Sequence, residues 1–157
     1  KNDIIENARH NFFTQKKIHE SVINILKINK VDEFFIYIRE FLPKNFDLEV
    51  VNVVTSNQDV SNKYNLIFKN ENTIQKIYGK KNQLILDAVD SDVDIFDGLK
   101  EQIYSNAIYS LGTNFFSTPS LLVFGSKDKH FLNNKAYDLV FFFSKVIQEK
   151  LNQFSDE

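Results

Sequence analysis

Apolar residues recur at helical spacing along the first segment of the chain. Ile4, Ile18 and Ile25 lie on one seven-residue repeat, and Ala8 and Val22 each follow four residues after a position of that repeat. A seven-residue repeat suits a helix that pairs with another helix. The pattern therefore predicts a helix over residues 1–29 whose stripe, at these five positions, forms a homodimer. An ordinary amphipathic helix that packs on its own domain is the alternative.

The following segments predict two further long helices, one short helix and five strands. Apolar residues at three- and four-residue spacing predict a helix over residues 31–42, which Pro43 would end. Valine-rich or alternating stretches predict strands over residues 48–55, 64–68, 84–88, 103–111 and 120–126. We expect the first two strands to form an antiparallel hairpin across a polar turn at 57–62. The remaining helices are predicted over 73–78 and 134–154.

The order of these elements indicates the α+β class. Runs of strands without regular alternation of strand and helix favour an antiparallel sheet. We therefore predict an N-terminal helix over residues 1–29 and a folded domain over residues 30–157. Because the sequence does not begin with Met, we also expect the first helix to continue from an upstream helical region.

Composition excludes several classes of protein. With 157 residues, 43% of them hydrophobic, and only 4 Gly and 2 Pro, the chain suits one globular domain rather than a disordered segment. The absence of Cys excludes disulfides and thiolate metal sites. A net charge of -2 gives no reason to expect nucleic acid as a partner. No apolar run approaches the roughly 20 residues of a membrane helix, so we expect no membrane partner and a cytoplasmic location.

One acidic segment partly matches a calcium-binding loop. Asp90, Asp92 and Asp94 alternate, and Glu101 stands where an EF-hand loop places its last ligand. The sixth position should be Gly, but Ile95 occupies it, and a strand rather than a helix is predicted upstream. We therefore expect no metal here and interpret the segment as a solvated loop whose carboxylates cap a short helix near residues 96–100.

Other constellations for catalysis or cofactor binding are missing from the sequence. His10, His19 and His130 are too far apart in the pattern to predict a metal site, and no HExxH motif occurs. Neither a G-x-S-x-G motif nor a phosphate-binding glycine loop is found. We therefore predict no catalytic residue, no metal and no cofactor.

A family resemblance comes from the last third of the chain. An apolar strand runs into Gly125, Ser126, Lys127 and Asp128, and a long apolar helix follows. This arrangement resembles the closing strand and helix of a GAF domain and, more closely, the bacterial GAF-like family called domain of unknown function 484. The positions that match the family motif are Gly125, Ser126, Asp128, Phe131 and Asp138. Lys127 replaces the family's Arg, the Pro after Asp128 is absent, and we expect the matching residues to serve turns.

The resemblance implies both a fold and a type of function. It implies an antiparallel sheet of five or six strands, with the first and last helices on one face. The short middle helix and the acidic segment would cover the other face, where GAF domains hold small ligands. It further implies a non-enzymatic sensory or regulatory domain that acts through homodimerisation. The alternative is an interaction module whose pocket is filled by its own Phe side chains, and a metal-dependent enzyme ranks third.

Overall fold

The computed structural model describes residues 13–78, 82–90 and 92–156. It contains a five-stranded sheet with helices on both faces, which confirms the α+β class. The helices are α1 (Gln15–Lys27), α2 (residues 31–45), α3 (Gln58–Tyr64), α4 (Glu71–Tyr78) and α5 (Tyr137–Ser155), with a 3₁₀ turn at Lys100–Gln102. The strands are β1 (Val50–Thr55), β2 (Ile67–Phe68), β3 (Leu84–Ala88), β4 (Ser105–Leu111) and β5 (Ser120–Ser126).

The strands are arranged in the order β2-β1-β5-β4-β3. β5 lies at the centre and pairs antiparallel with both β1 and β4, and β3 pairs antiparallel with β4. All of these pairs agree with the predicted antiparallel sheet. The edge pair of β1 and β2 is parallel, so the sheet as a whole is mixed.

One face of the sheet carries the larger core. Helices α1, α2 and α5 cover it, as expected of the first and last helices, and the core is rich in Phe rings. Phe143 on α5 packs between Phe13 and Phe46, with ring centroids 6.0 and 5.3 Å away. Phe34 on α2 contacts Phe154 near the end of α5. This face therefore ties the N-terminal and C-terminal helices into one hydrophobic core.

The opposite face carries a smaller, mostly aliphatic core. Ile74 and Ile77 of α4, together with Ile95 and Phe96 of the acidic segment, cover Leu121 and the neighbouring strands. This confirms the expectation that the middle helix and the acidic segment cover this face. Within the part of the chain that the structure describes, no helix is long and apolar enough to cross a membrane.

The first predicted helix is shorter than the sequence pattern indicates. Helix α1 begins at Gln15, and the Oγ1 of Thr14 caps it by accepting a hydrogen bond of 3.2 Å from the backbone N–H of Lys17. A capping Thr has extended backbone geometry, so a continuous helix over 1–29 is wrong at this point. Residues 1–12 of that prediction lie outside the described residues.

Helix α2 continues past Pro43, where the sequence predicted its end. Its segments are α-helical at Val31–Ile36, π-helical at Tyr37–Phe41 and α-helical again at Leu42–Asn45. Proline lacks an N–H and crowds the carbonyl four residues earlier. The wider π turn just before Pro43, in which the N–H of Leu42 bonds to the carbonyl of Tyr37, relieves that crowding.

The predicted hairpin of residues 48–68 is wrong. Residues 58–64 form helix α3, because Asn57 caps it by accepting a hydrogen bond of 3.2 Å from the N–H of Val60. The helix ends at Asn65, whose φ of 56° is left-handed. The chain then returns to the same edge of the sheet, and only Ile67 and Phe68 pair with β1, in parallel orientation. A helical connection between two strands permits this orientation, whereas a tight turn does not.

Candidate functional site

A cleft of about 250 Å³ opens on the smaller-core face, between α4, the edge strand β3 with its neighbour β4, and the acidic segment. We call it the α4 cleft. Its aliphatic lining consists of Ile77, Ile85, Ala88, Val93, Ile95 and Ile108, and its polar lining consists of Lys76, Asp87, Asp90 and Asn106. The cleft therefore combines an apolar wall with a few convergent polar groups, which is the usual composition of a small-molecule site.

Strand register explains how the polar and apolar groups of the cleft come together. Alternate residues of a strand point to the same face. Ile85 pairs directly with Ile108, and Asp87 pairs directly with Asn106. Directly opposed residues place their Cβ atoms about 4.5–5.5 Å apart. One carboxylate and one amide therefore lie side by side at the cleft, next to a pair of isoleucines.

Asn106 is the most informative residue of the cleft. Only 3% of it is exposed, and its side-chain amide makes no hydrogen bond to any other described residue. The amide offers two donors and one acceptor oxygen. Buried polar side chains in native structures nearly always have a partner. The amide itself keeps a little accessible surface, and because the residue lines the cleft, a molecule in the cleft can reach it.

In each of the two carboxylates of the cleft, one oxygen accepts a hydrogen bond from a nearby backbone N–H. Oδ1 of Asp87 accepts the N–H of Ala88 at 2.8 Å, and Oδ1 of Asp90 accepts the N–H of Asp92 at 2.9 Å. Their Oδ2 atoms have no hydrogen-bond donor among the described residues. Both side chains are exposed, and so is Lys76. The rim of the cleft thus presents two acceptor oxygens and one ammonium group.

The remaining carboxylates of the acidic segment serve its own folding. Asp94 accepts the N–H of Phe96 at 3.2 Å and the N–H of Gly98 at 3.1 Å. Asp97 forms an ion pair of 2.9 Å with Lys69. Over 13–78, 82–90 and 92–156, no group of three His, Asp or Glu side chains is arranged to hold a metal ion. The carboxylates of the segment therefore close its turns, whereas the short helix expected near residues 96–100 is a 3₁₀ turn at Lys100–Gln102.

Gly125 of the motif lies inside β5 rather than in a turn, so the turn role expected for it is wrong. It pairs with Val50 on one side and with Asn106 on the other. A Cβ at this position would lie 2.7 Å from Cγ1 of Val50 and 3.0 Å from Cδ1 of Ile103. The glycine is required because those two side chains pack over the strand, next to the residue that lines the cleft.

Ser126 and Asp128 hold the connection that follows β5. Oγ of Ser126 accepts the N–H of Asp128 at 3.0 Å and lies 3.0 Å from Nδ1 of His130. Oγ of Ser105 donates to the carbonyl of Asp128 at 2.6 Å and accepts the N–H of Phe131 at 3.2 Å. The carboxylate of Asp128 is exposed, and it is the backbone of this residue that bonds. The turn role predicted for Ser126 is thus confirmed, whereas the one expected of the Asp128 side chain is wrong, because Asp128 bonds through its backbone alone.

The two other motif residues lie further along this connection. Phe131 is buried and its ring lies 6.5 Å from that of Phe124. Asp138 is exposed in the first turn of α5, where a negative charge favours the helix N-terminus. An open depression of about 560 Å³ lies beside the connection, lined by Tyr104, Lys127, Asp128, Lys129, His130, Leu132 and Asn133. The motif therefore shapes one end of the sheet and contacts the α4 cleft only through Gly125.

The comparison with known families agrees with the motif. The family model described as "Protein of unknown function, DUF484" matches residues 1–156. The chain belongs to this family. No curated protein matches it. The resemblance suggested by Gly125, Ser126, Asp128, Phe131 and Asp138 is thereby confirmed at the level of the DUF484 family.

The residues predicted to form the dimer in this DUF484 chain occupy different environments. Ile18 and Ile25 are 1% and 0% exposed because they pack into the domain's own core. Val22 is partly buried, and Ile4 and Ala8 lie outside the described residues. Between α1 and α5 lies a groove of about 350 Å³. Its exposed apolar side chains are Leu26 and Phe142.

Sequence reasoning missed the polar residues of the α4 cleft. Asp87 and Asn106 were treated as ordinary strand residues, and Lys76 as a residue of a short helix. One signal was present: Asn106 shares a face with Ile108 in a strand whose residues, apart from Ile108, are all buried. A polar amide at a sheet-facing position is unusual enough to mark a site. The pairing of Asn106 with Asp87 depends on the register of β3 and β4, which the sequence of this chain does not reveal by itself.

Proposed function

We propose that this chain is a non-enzymatic regulatory domain that binds a small molecule in the α4 cleft and acts as a homodimer. The observation that carries the ligand site is Asn106, a nearly buried residue that lines the cleft and whose accessible amide has no hydrogen-bond partner among the described residues. An apolar wall and polar groups from three different elements surround it. These elements approach one another across the sheet, so a bound molecule would link β3, β4, α4 and the acidic segment. Binding of a molecule in the cleft can therefore change how these elements are positioned relative to one another.

The location of the Phe rings favours ligand binding over the alternative of a filled pocket. The core that is rich in Phe lies beneath α1, α2 and α5. The lining of the α4 cleft, as far as the structure describes it, contains aliphatic and polar side chains but no aromatic ring. Its volume lies slightly below the roughly 300 Å³ of the smallest common ligand sites. The cleft therefore suits a small metabolite rather than a nucleotide.

Native mass spectrometry of the purified protein tests the ligand site. We expect a retained small molecule that is lost in Asn106→Leu, because leucine fills the polar part of the cleft and offers no hydrogen bond. Asn52→Leu is the matched control, since Asn52 lies on the same face of the sheet in β1 and does not line the cleft. If wild type and Asn106→Leu both carry no molecule and bind none from a metabolite mixture, the filled-pocket module replaces this proposal.

The dimer surface that we propose is the groove between α1 and α5. Leu26 and Phe142 are 63% and 52% exposed, and both line it. Ile18 and Ile25 are committed to the core, so they support α1 from beneath rather than contact a partner. A twofold interface places the same surface on both subunits, so a single apolar groove can pair with its own copy.

Light scattering at tens of micromolar tests the dimer. We expect a dimer for the wild type and a monomer for Leu26→Asp combined with Phe142→Asp, because two buried charges would face their own copies. Phe41→Asp is the control, since Phe41 is equally exposed but lies on α2, outside the groove. A monomeric wild type, or a dimer that survives the double substitution, contradicts this part of the proposal.

A further inference from the structure

The apolar wall of the α4 cleft defines the body of the molecule that fits there. Ile77, Ile85, Val93, Ile95 and Ile108 are all branched aliphatic side chains. They offer no flat surface on which an aromatic base stacks. A volume of about 250 Å³ corresponds to roughly eight water molecules of liquid. The complementary body is therefore a short, branched aliphatic chain.

The polar side of the cleft defines the head group of that molecule. Three oxygen acceptors have no donor among the described residues: Oδ2 of Asp87, Oδ2 of Asp90 and Oδ1 of Asn106. Two of them carry negative charge, and Lys76 contributes one positive charge at the rim. An ammonium group has three N–H donors and no acceptor. It matches the three acceptors in both charge and number of hydrogen bonds, while the Nδ2 of Asn106 and the ammonium group of Lys76 remain as donors for an acceptor on the same molecule.

We infer that the α4 cleft binds a short aliphatic molecule that carries a primary ammonium group. This inference rests on the ligand site proposed above and names its chemical class. The aliphatic body contacts Ile85 and Ile108, and the ammonium group donates to Asp87, Asp90 and the oxygen of Asn106. A carboxylate in the position of the ammonium would meet two like charges and is rejected by repulsion.

Two sources share this chemistry, a simple amine and an aliphatic amino acid. An amino acid carries a carboxylate next to its ammonium group. Lys76, on the helix that borders the cleft, has no ion-pair partner among the residues described. Its ammonium group can pair with that carboxylate. The contribution of Lys76 therefore distinguishes the two sources.

Calorimetric titration of the whole chain with three matched probes tests the inference. The probes are 3-methylbutylamine, L-leucine and 4-methylpentanoate, which share a branched aliphatic body. We expect the amine, L-leucine or both to bind, and 4-methylpentanoate to bind at least tenfold more weakly. Asp87→Asn should weaken the binding of the ammonium probes about tenfold, since a charge-assisted hydrogen bond becomes a neutral one. Asp138→Asn, an equally exposed change on α5, should leave binding unchanged.

Lys76→Gln identifies the source. If it weakens L-leucine severalfold and leaves the amine unchanged, the natural ligand is an amino acid. Equal affinity of both probes in wild type and in Lys76→Gln indicates a simple amine.

Two results overturn the inference. One is 4-methylpentanoate binding as tightly as the amine. The other is Asp87→Asn binding the ammonium probes as tightly as wild type. The proposed ligand site fails separately: a retained molecule of another class, lost in Asn106→Leu, refutes the ammonium group but supports the cleft. If no probe binds and no molecule is retained, both proposals fail.

Discussion

The Oγ of Ser105 donates a 2.6 Å hydrogen bond to the backbone carbonyl of Asp128. The same oxygen accepts the N–H of Phe131 at 3.2 Å. One fully buried hydroxyl at the start of β4 thus satisfies two backbone groups in the connection between β5 and α5. Because Phe131 belongs to the main core, this hydroxyl links the loop of the family motif to the packing of the domain.

Ser105→Ala should lower the stability of the domain. The substitution removes the hydrogen bonds to the Asp128 carbonyl and the Phe131 N–H, and each intramolecular hydrogen bond contributes about 0.5–1.5 kcal/mol. For a domain of this size, a loss of about 1–3 kcal/mol corresponds to a fall in Tm of about 2–12 °C. Differential scanning calorimetry measures it directly.

Ser144→Ala is the matched control for Ser105→Ala. Ser144 is also fully buried, but its hydroxyl has no hydrogen-bond partner among the described residues. Its removal should leave the Tm unchanged or raise it, because an unsatisfied polar group is deleted. Equal losses in the two variants would show that the bonds of Ser105 contribute nothing beyond packing.

Gly125→Ala should destabilise the sheet although it adds a single methyl group. That methyl would lie 2.7 Å from Cγ1 of Val50 and close to Ile103, and overpacking in a core costs about 1–3 kcal/mol. Shortening the neighbour, in Gly125→Ala with Ile103→Val, should recover part of the loss. Gly112→Ala is the control, since it meets only the flexible end of Gln148. Chemical unfolding of the four proteins would contradict the prediction if Gly125→Ala and Gly112→Ala behave alike.

Phe143→Ala should cost about 3–5 kcal/mol, a large part of the stability of a small domain. Its ring is fully buried and packs against Phe13 and Phe46. The adjacent Phe142 is exposed in the proposed dimer groove, so at concentrations below dimer formation Phe142→Ala should cost no more than about 0.5 kcal/mol. Thermal unfolding followed by circular dichroism compares the two variants. A melt of Phe143→Ala within a few degrees of wild type would mean that α5 is rotated about its axis.

Stability should fall at alkaline pH because of Tyr109. Burial, with a smaller contribution from Glu149, raises the pKa of Tyr109 to about 12, and the hydrogen bond from Gln83 lowers it only in part. The unfolded chain loses this proton near pH 10. The contribution of the neutral phenol is therefore complete below about pH 10 and is lost as the pH rises toward 12, by about 2–3 kcal/mol.

Urea unfolding of wild type and Tyr109→Phe at several pH values isolates that contribution. Between pH 9 and pH 12, the free energy of unfolding of the wild type should fall by about 2–3 kcal/mol more than that of Tyr109→Phe. Tyr104→Phe, at an exposed tyrosine, should follow the wild type throughout. A constant difference between wild type and Tyr109→Phe would place the alkaline transition on other groups.

Local patterns in the sequence were sufficient for most of the fold. The stripe of α5 and the apolar runs of β1, β4 and β5 each indicate their element through a single dominant period. The hairpin at 48–68 was predicted wrongly because Tyr64, Leu66 and Phe68 alternate like a strand, whereas the cap at Asn57 and the left-handed Asn65 define a helix and its end. Each of these two indications depends on a single residue, whereas the alternating pattern extends over five residues and therefore led to the prediction of a strand.

The family motif was visible in sequence, but the cleft was not. Gly125 and Ser126 stand next to each other in the chain, so a short motif reveals them. Asp87 and Asn106 belong to different strands and become neighbours only through the register of β3 and β4. Pairing of distant segments is a property of the assembled sheet, which is why the polar lining of the cleft emerges only from the structure.

The strand order also determines when the sheet can form as the chain folds. β4 and β5 are separated by a short connection and pair from Leu111 with Ser120 onward, so they can meet early. β1 has only the two residues of β2 as a local partner, whereas all six of its residues pair with the distant β5, where Val50 lies opposite Gly125. Closing so long a loop is entropically costly and slows folding. On the ribosome, β1 must therefore wait for the last third of the chain, with its valines exposed to other proteins until β5 emerges.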